Sequence, residues 1–111
     1  MKNNLSSSTK FNLPMSILKQ GENDYLITSP MKDLIIIADA TSFEEALEEA
    51  RTSLLFNLYD LYEDDIPFPV VTENDLLTLE KEKKENESIV LVESTLENII
   101  KEFKNSAKVN S

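Results

Sequence analysis

The sequence predicts an α+β domain: a small antiparallel sheet in the order β-β-β-α-β-α, with one long helix packed on it. Three observations carry that prediction. The runs "DLIIIA" at 33–38 and "SIVLV" at 88–92 are rich in β-branched and aliphatic residues, the composition of strands. Between them, residues 43–63 repeat apolar side chains at spacings of three and four, the period of a helix with one buried stripe. The chain has 111 residues, 41% of them apolar, which suits a single core and is too short for two.

The elements follow in order. Residues 1–9, "MKNNLSSST", are polar and read as a flexible N-terminus, with a single domain over 10–111. "KFNLPMSILK" at 10–19 carries Pro14, which lacks the N–H of a ladder, so it reads as an edge strand or one starting after the proline. "QGEND" at 20–24 is a turn, and "YLITS" at 25–29 returns as the second arm of a hairpin that stops at Pro30. In "MKDLIIIADA", Leu34, Ile35, Ile36 and Ile37 leave no polar face, which predicts a central strand covered on both sides. The three strands then form a meander over about 10–39.

Ser42 stands at an N-cap position with Glu45 three residues later, the spacing of a capping box. Glu44, Glu45, Glu48 and Glu49 load the positive end of the helix dipole. Phe43, Ala46, Leu47, Ala50, Leu54, Leu58 and Leu61 form the stripe, while Phe56, Tyr59 and Tyr62 lie off it or at its margin. Pro67 and Pro69 end a helix predicted over 43–63. The acidic and lysine-rich stretch 78–87 reads as a solvated loop or short exposed helix, and 88–94 as a strand. Leu96, Ile99, Ile100 and Phe103 predict a C-terminal helix over 95–104, capped by Ser94 or Thr95.

Composition removes many functions. With no cysteine and no histidine, the chain has no disulfide, thiolate metal site, Ser-His or Cys-His pair, or histidine base. One glycine, Gly21, is too few for a phosphate-cradling loop. No apolar run approaches the length that spans a bilayer, and no apolar segment precedes a cleavage site, so the expected location is the cytoplasm, without membrane contact. No cofactor or metal is implied.

The net charge of −10 is uneven: residues 1–21 carry +3, residues 22–65 carry −10 and residues 66–111 carry −3. Such a field repels nucleic-acid phosphates and draws in basic proteins. Direct nucleic-acid binding is therefore not expected. Tyr25, Asp39, Glu63, Asp64 and Asp65 are the candidate partner contacts, with Tyr59 and Tyr62 as aromatic anchors. The competing reading of the aromatics is packing under the C-terminal helix or the "IPFPVV" loop. Glu44 and Glu48, one helical turn apart, and the acids at 63–65 could hold magnesium but read first as solvated helix surface, and Asp24, Asp33 and Asp39 at strand ends offer a weak signal for nuclease carboxylates. An edge strand of the sheet also offers a way to pair two copies into a homodimer.

The order of "ENDYLITSP", a strand, and "ATSFEEALEEARTSLLFNLYDLYEDDIPFP" resembles the N-terminal domain of the HicB family of antitoxins. The matching positions are Asp24 and Tyr25 in the turn, Ser29 and Pro30 at a strand end, Thr41 to Leu47 entering the helix, and Ile66, Pro67 and Pro69 leaving it. "IVLVE" at 89–93 resembles a later strand, so the similarity covers about residues 11–93. "MKDLIII" replaces the family's Pro-Gly-Cys-like segment, and Ala38 or Ala40 stands where a glycine usually precedes the helix. The resemblance implies a degraded ribonuclease H-like fold without nuclease carboxylates; many family members add a C-terminal DNA-binding domain, and its absence is expected here because "SAKVNS" stands where it would begin. It also implies a non-enzymatic antitoxin that neutralises a basic, RNA-cleaving HicA-type toxin by masking its RNA-binding face. The alternative is a stand-alone acidic regulatory or phage-type inhibitor of another basic protein.

Overall fold

A computed structural model describes the backbone of residues 9–110 and the side chains of residues 9–104. The expected flexible segment 1–9 therefore lies almost wholly outside the described residues. The elements are β1 (Lys10–Gly21), β2 (Asp24–Thr28), β3 (Ile37–Ala40), α1 (Phe43–Glu63), α2 (Glu73–Glu82), β4 (Glu87–Thr95) and α3 (Leu96–Asn110). All strand pairs are antiparallel, and the strands lie in the order β3-β2-β1-β4. The chain is an α+β domain with a four-stranded sheet and three helices.

β1 is a central strand that begins at Lys10, which corrects the expectation that Pro14 marks an edge strand or precedes the strand's start. Lys19 donates its N–H to the Asn86 carbonyl at 2.9 Å, and Leu96 donates to the Thr9 carbonyl at 3.1 Å. The register between β1 and β4 is unbroken from Lys10 to Leu18, so odd-numbered β1 residues turn their amides towards β4. The nitrogen of Pro14 falls on the β2 side, where pairing begins only at Ser16. No ladder bond is lost. A proline is tolerated inside a central strand because the neighbour on that side has already ended.

The "LIIIA" run is corrected in the opposite sense. β3 begins only at Ile37 and forms one edge of the sheet. Leu34 and Ile36 are buried, whereas Ile35 is 85% and Ile37 74% exposed. β1 is the longest strand and offers a second side, which β4 takes after a long connection, leaving β3 outermost.

Alternation sorts the sheet into two faces. Leu13, Met15 and Ile17 of β1, Ile27 of β2, Ala40 of β3 and Val92 of β4 turn towards α1 and form the core with it. On α1, Ala46, Ala50, Leu54 and Leu58 recur every four residues, and all are fully buried. The two alanines lie in the half of α1 that follows directly from β3, and small side chains there let the helix approach closely. Leu55 is also buried, whereas Phe43 and Leu47, placed on the stripe by sequence, are each 40% exposed. α3 packs on α1 through the buried Ile99 and half-buried Phe103, and Phe11 meets Phe68 at 4.9 Å between ring centroids.

Caps hold the helix ends. Ser42 Oγ accepts from the Glu45 N–H at 3.1 Å, but the Glu45 carboxylate reaches Thr41 N–H at 3.2 Å in place of the cap residue's own amide. Thr95 Oγ1 accepts from Asn98 N–H at 3.1 Å and so caps α3. Of the two readings of 78–87, a solvated loop or a short exposed helix, residues 78–82 take the second as the end of α2, which starts earlier, at Glu73. Thr72 and Asp75 form a reciprocal capping box that starts it, and none of its residues is buried. The Thr72 backbone N–H and hydroxyl together hold the Asp75 carboxyl below its usual pKa.

Candidate functional site

The acidic surface is built mainly by α1. Glu44, Glu45, Glu48, Asp60 and Glu63 are exposed along it, followed by exposed Asp64 and Asp65. The only cation on the helix, Arg51, pairs with Glu102 of α3 at 3.4 Å. The acids gather at the two ends, with Phe56, 51% exposed, between them.

The candidate partner residues divide between those two ends. Glu63, Asp64 and Asp65 are contiguous with Tyr59 and Tyr62 at the C-terminus of α1. Tyr25 and Asp39 lie near its N-terminus, about 30 Å away along a 21-residue helix. Tyr25 is half-buried on the core side of β2, with its ring against Phe43 at 6.2 Å. Asp39, opposite Leu26, is exposed on the other sheet face. No single flat patch unites the set.

Tyr59 is half-buried, 6.1 Å from the Phe103 ring and 6.3 Å from Tyr62, so it packs under α3. Phe103 also meets Phe56 edge-on at 5.8 Å. The rings therefore form one half-exposed aromatic seam beside the C-terminal acids. Sequence reasoning named Phe56 only as an off-stripe residue. The i, i+3 spacing of Phe56, Tyr59 and Tyr62 was the available signal for the seam.

The end of α1 is built in a costly way. Asp64 N–H donates to the Asp60 carbonyl at 3.0 Å, Asp65 N–H to Tyr62 at 3.2 Å, and Ile66 N–H to Leu61 at 2.8 Å. This bond pattern is a Schellman closure, and its turning residue is normally glycine. Here Asp65 occupies the position, with φ of 56°. Acids in this turn also oppose the negative end of the helix dipole. Asp65→Gly is expected to stabilise the protein by about 0.5–1 kcal/mol, read as a higher denaturation midpoint. A lower midpoint would show that the aspartate side chain holds the turn together.

The carboxylates do not assemble into a metal centre. Asp24 and Asp39 are on adjacent strands, Asp33 lies in the turn before β3, and Glu44 and Glu48 are exposed on α1. Among the described residues no group of three or more acids is placed to hold a metal ion. Among the described residues, Glu87 is the carboxylate tied into the sheet. Its oxygens accept from the Ser16 hydroxyl and, at 3.0 Å, from Lys84 N–H. Partial burial raises its pKa, but the Ser16 bond, the Lys84 bond and the nearby Lys84 and Lys83 charges outweigh that and leave it lowered.

A groove of about 360 Å³ lies where α2 approaches the sheet, lined by Pro14, Pro30, Met31, Val71, Thr78 and Leu79 among others. Its walls are mostly apolar, and among the described residues Lys32, Asp33 and Asp75 at its margin form no acid–base pair. Among the described residues no helix is long and apolar enough to cross a membrane. Compared with known proteins, the chain matches no family model, no curated protein and no solved structure.

Proposed function

We propose that this chain is a non-enzymatic, cytoplasmic inhibitor that binds a basic, RNA-cleaving protein of the HicA toxin type and masks its RNA-binding face. The observation that carries this reading is the end of α1. Glu63, Asp64 and Asp65 are exposed at the helix terminus that disfavours acids, and Asp65 adopts a left-handed conformation that suits glycine better. Acids at this terminus give up helix stability, and docking against a cationic surface offsets that loss. Stability given up at a functional surface is a common trade.

Three further features support the reading. The net charge of −10 suits steering towards a basic partner. The aromatic seam of Phe56, Tyr59, Tyr62 and Phe103 beside the acids supplies apolar contact area of the kind enriched in interfaces. The β-β-β-α order with a proline exit agrees with the resemblance to HicB antitoxins, and a reduced ribonuclease H-like ancestry is proposed on that ground. The departures at "MKDLIII" and the alanines before α1 favour a second reading, in which the cationic partner is a protein of another family.

Calorimetric titration with a purified HicA-type toxin tests the first reading. Saturable binding that weakens as salt rises is expected, because screening cuts the attraction. Absence of heat and of a comigrating complex at low salt, where steering is strongest, would overturn it and leave the second reading.

A further inference from the structure

We infer that β3 is an interface between two copies of this chain, pairing antiparallel about a two-fold axis at Ile37 to continue the sheet across the dimer. This inference is independent of the toxin-binding reading. It starts from a mismatch between sequence and monomer: "LIII" at 34–37 has two apolar faces, yet only Leu34 and Ile36 are buried. Ile35 and Ile37, 85% and 74% exposed, stand on the sheet's outermost segment. Exposed apolar residues on a sheet edge that lacks lysine, proline or a bulge are a template for strand addition.

The backbone geometry fits the same pairing. Ser29 donates its N–H to the Ile36 carbonyl at 3.2 Å, so even-numbered residues here turn towards β2. Ile35, Ile37 and Asp39 therefore turn their amides outwards. Centred on Ile37, the pairing sets each Ile37 opposite its copy and each Ile35 opposite Asp39 of the second copy. All three positions on each strand exchange hydrogen bonds.

Directly opposed residues share a sheet face, so Ile35 and Ile37 of both copies form one apolar strip. No acid faces an acid across the axis. The surface is thus complementary to itself, as a two-fold interface requires. The opposite edge, β4, offers a ladder too, but its outward-facing residues are Glu87, Ile89, Leu91, Glu93 and Thr95, and only Leu91 among them is a large exposed apolar side chain.

Two bodies of charge −10 repel each other, so this dimer strengthens as salt rises, whereas binding to a basic toxin weakens. The opposite salt responses keep the two inferences separable.

Because the chain contains no cysteine, single replacements report the register directly. Paired residues that exchange hydrogen bonds lie about 5.5 Å apart at Cα, within the range a disulfide bridges. Ile37→Cys is expected to cross-link in oxidised glutathione at least about tenfold faster than Ile35→Cys, whose two copies stand more than about 13 Å apart. Leu91→Cys on β4 is the control for random encounter and for the other edge. Sedimentation equilibrium of the unaltered chain is expected to show a dimer that tightens with salt, and Ile37→Lys a folded monomer by circular dichroism. A monomer at every protein concentration and salt would overturn the inference. So would cross-linking through Ile35→Cys or Leu91→Cys as fast as through Ile37→Cys.

Discussion

Leu54→Ala is expected to destabilise the protein by about 2–5 kcal/mol. Leu54 is fully buried at the middle of the helix, where its stripe faces the Met15 and Ile17 side of the sheet. Truncation removes the transfer energy of the side chain and leaves a cavity that a packed sheet cannot close. A domain of this size is stable by roughly 5–15 kcal/mol, so the loss is a large fraction of the total. Chemical denaturation with an unchanged slope is the measurement. Leu47→Ala is the internal contrast: sequence periodicity places it on the same stripe, but at 40% exposure it should cost less than about 1 kcal/mol. Equal losses at both positions would mean that α1 sits on the sheet in a different rotation.

The second large effect concerns rate. Replacing Glu63, Asp64 and Asp65 together by lysine changes the net charge from −10 to −4 and inverts the C-terminal end of α1. Association with a basic toxin is expected to slow by roughly tenfold or more at low ionic strength, with the difference shrinking near about 0.15 M salt. The dissociation rate should change less, since rim charges act mainly on encounter. The same reversal at Glu44, Glu45 and Glu48 separates the two acidic ends, because a similar change in total charge is made at the far end of the helix. Stopped-flow measurements over a range of salt give both rates. Equal slowing by the two triples would assign the effect to net charge and remove the special role of the C-terminal end.

Local signals made the bounds of α1 legible. Ser42 as cap, the four-residue apolar repeat and the proline exit predict 43–63, and the helix spans Phe43–Glu63. β4 was legible within a residue at each end for the same reason. Strand order was not legible. Nothing local in "SIVLV" says that it joins β1 on the side away from β2, and that one long-range choice turns β1 into a central strand and β3 into an edge. A short exposed helix was one of two readings of 78–87, but the start of α2 at Glu73 escaped because the helix lacks an apolar stripe, although "TEND" at 72–75 carries the capping-box spacing that starts it. For the candidate site, the sequence shows which residues are acidic or aromatic but not how far apart they stand. Tyr25 and Asp39 separate from the C-terminal cluster because the long helix intervenes and because the two residues face opposite sides of the sheet.

RNA cleavage by a purified HicA-type toxin, titrated with this protein, decides whether the acidic domain acts as an inhibitor. Cleavage is expected to fall in proportion to added protein and to be abolished near equimolar amounts, while this protein alone leaves the RNA intact with or without magnesium. Undiminished cleavage at saturating protein, or RNA turnover by this chain on its own, would contradict that role.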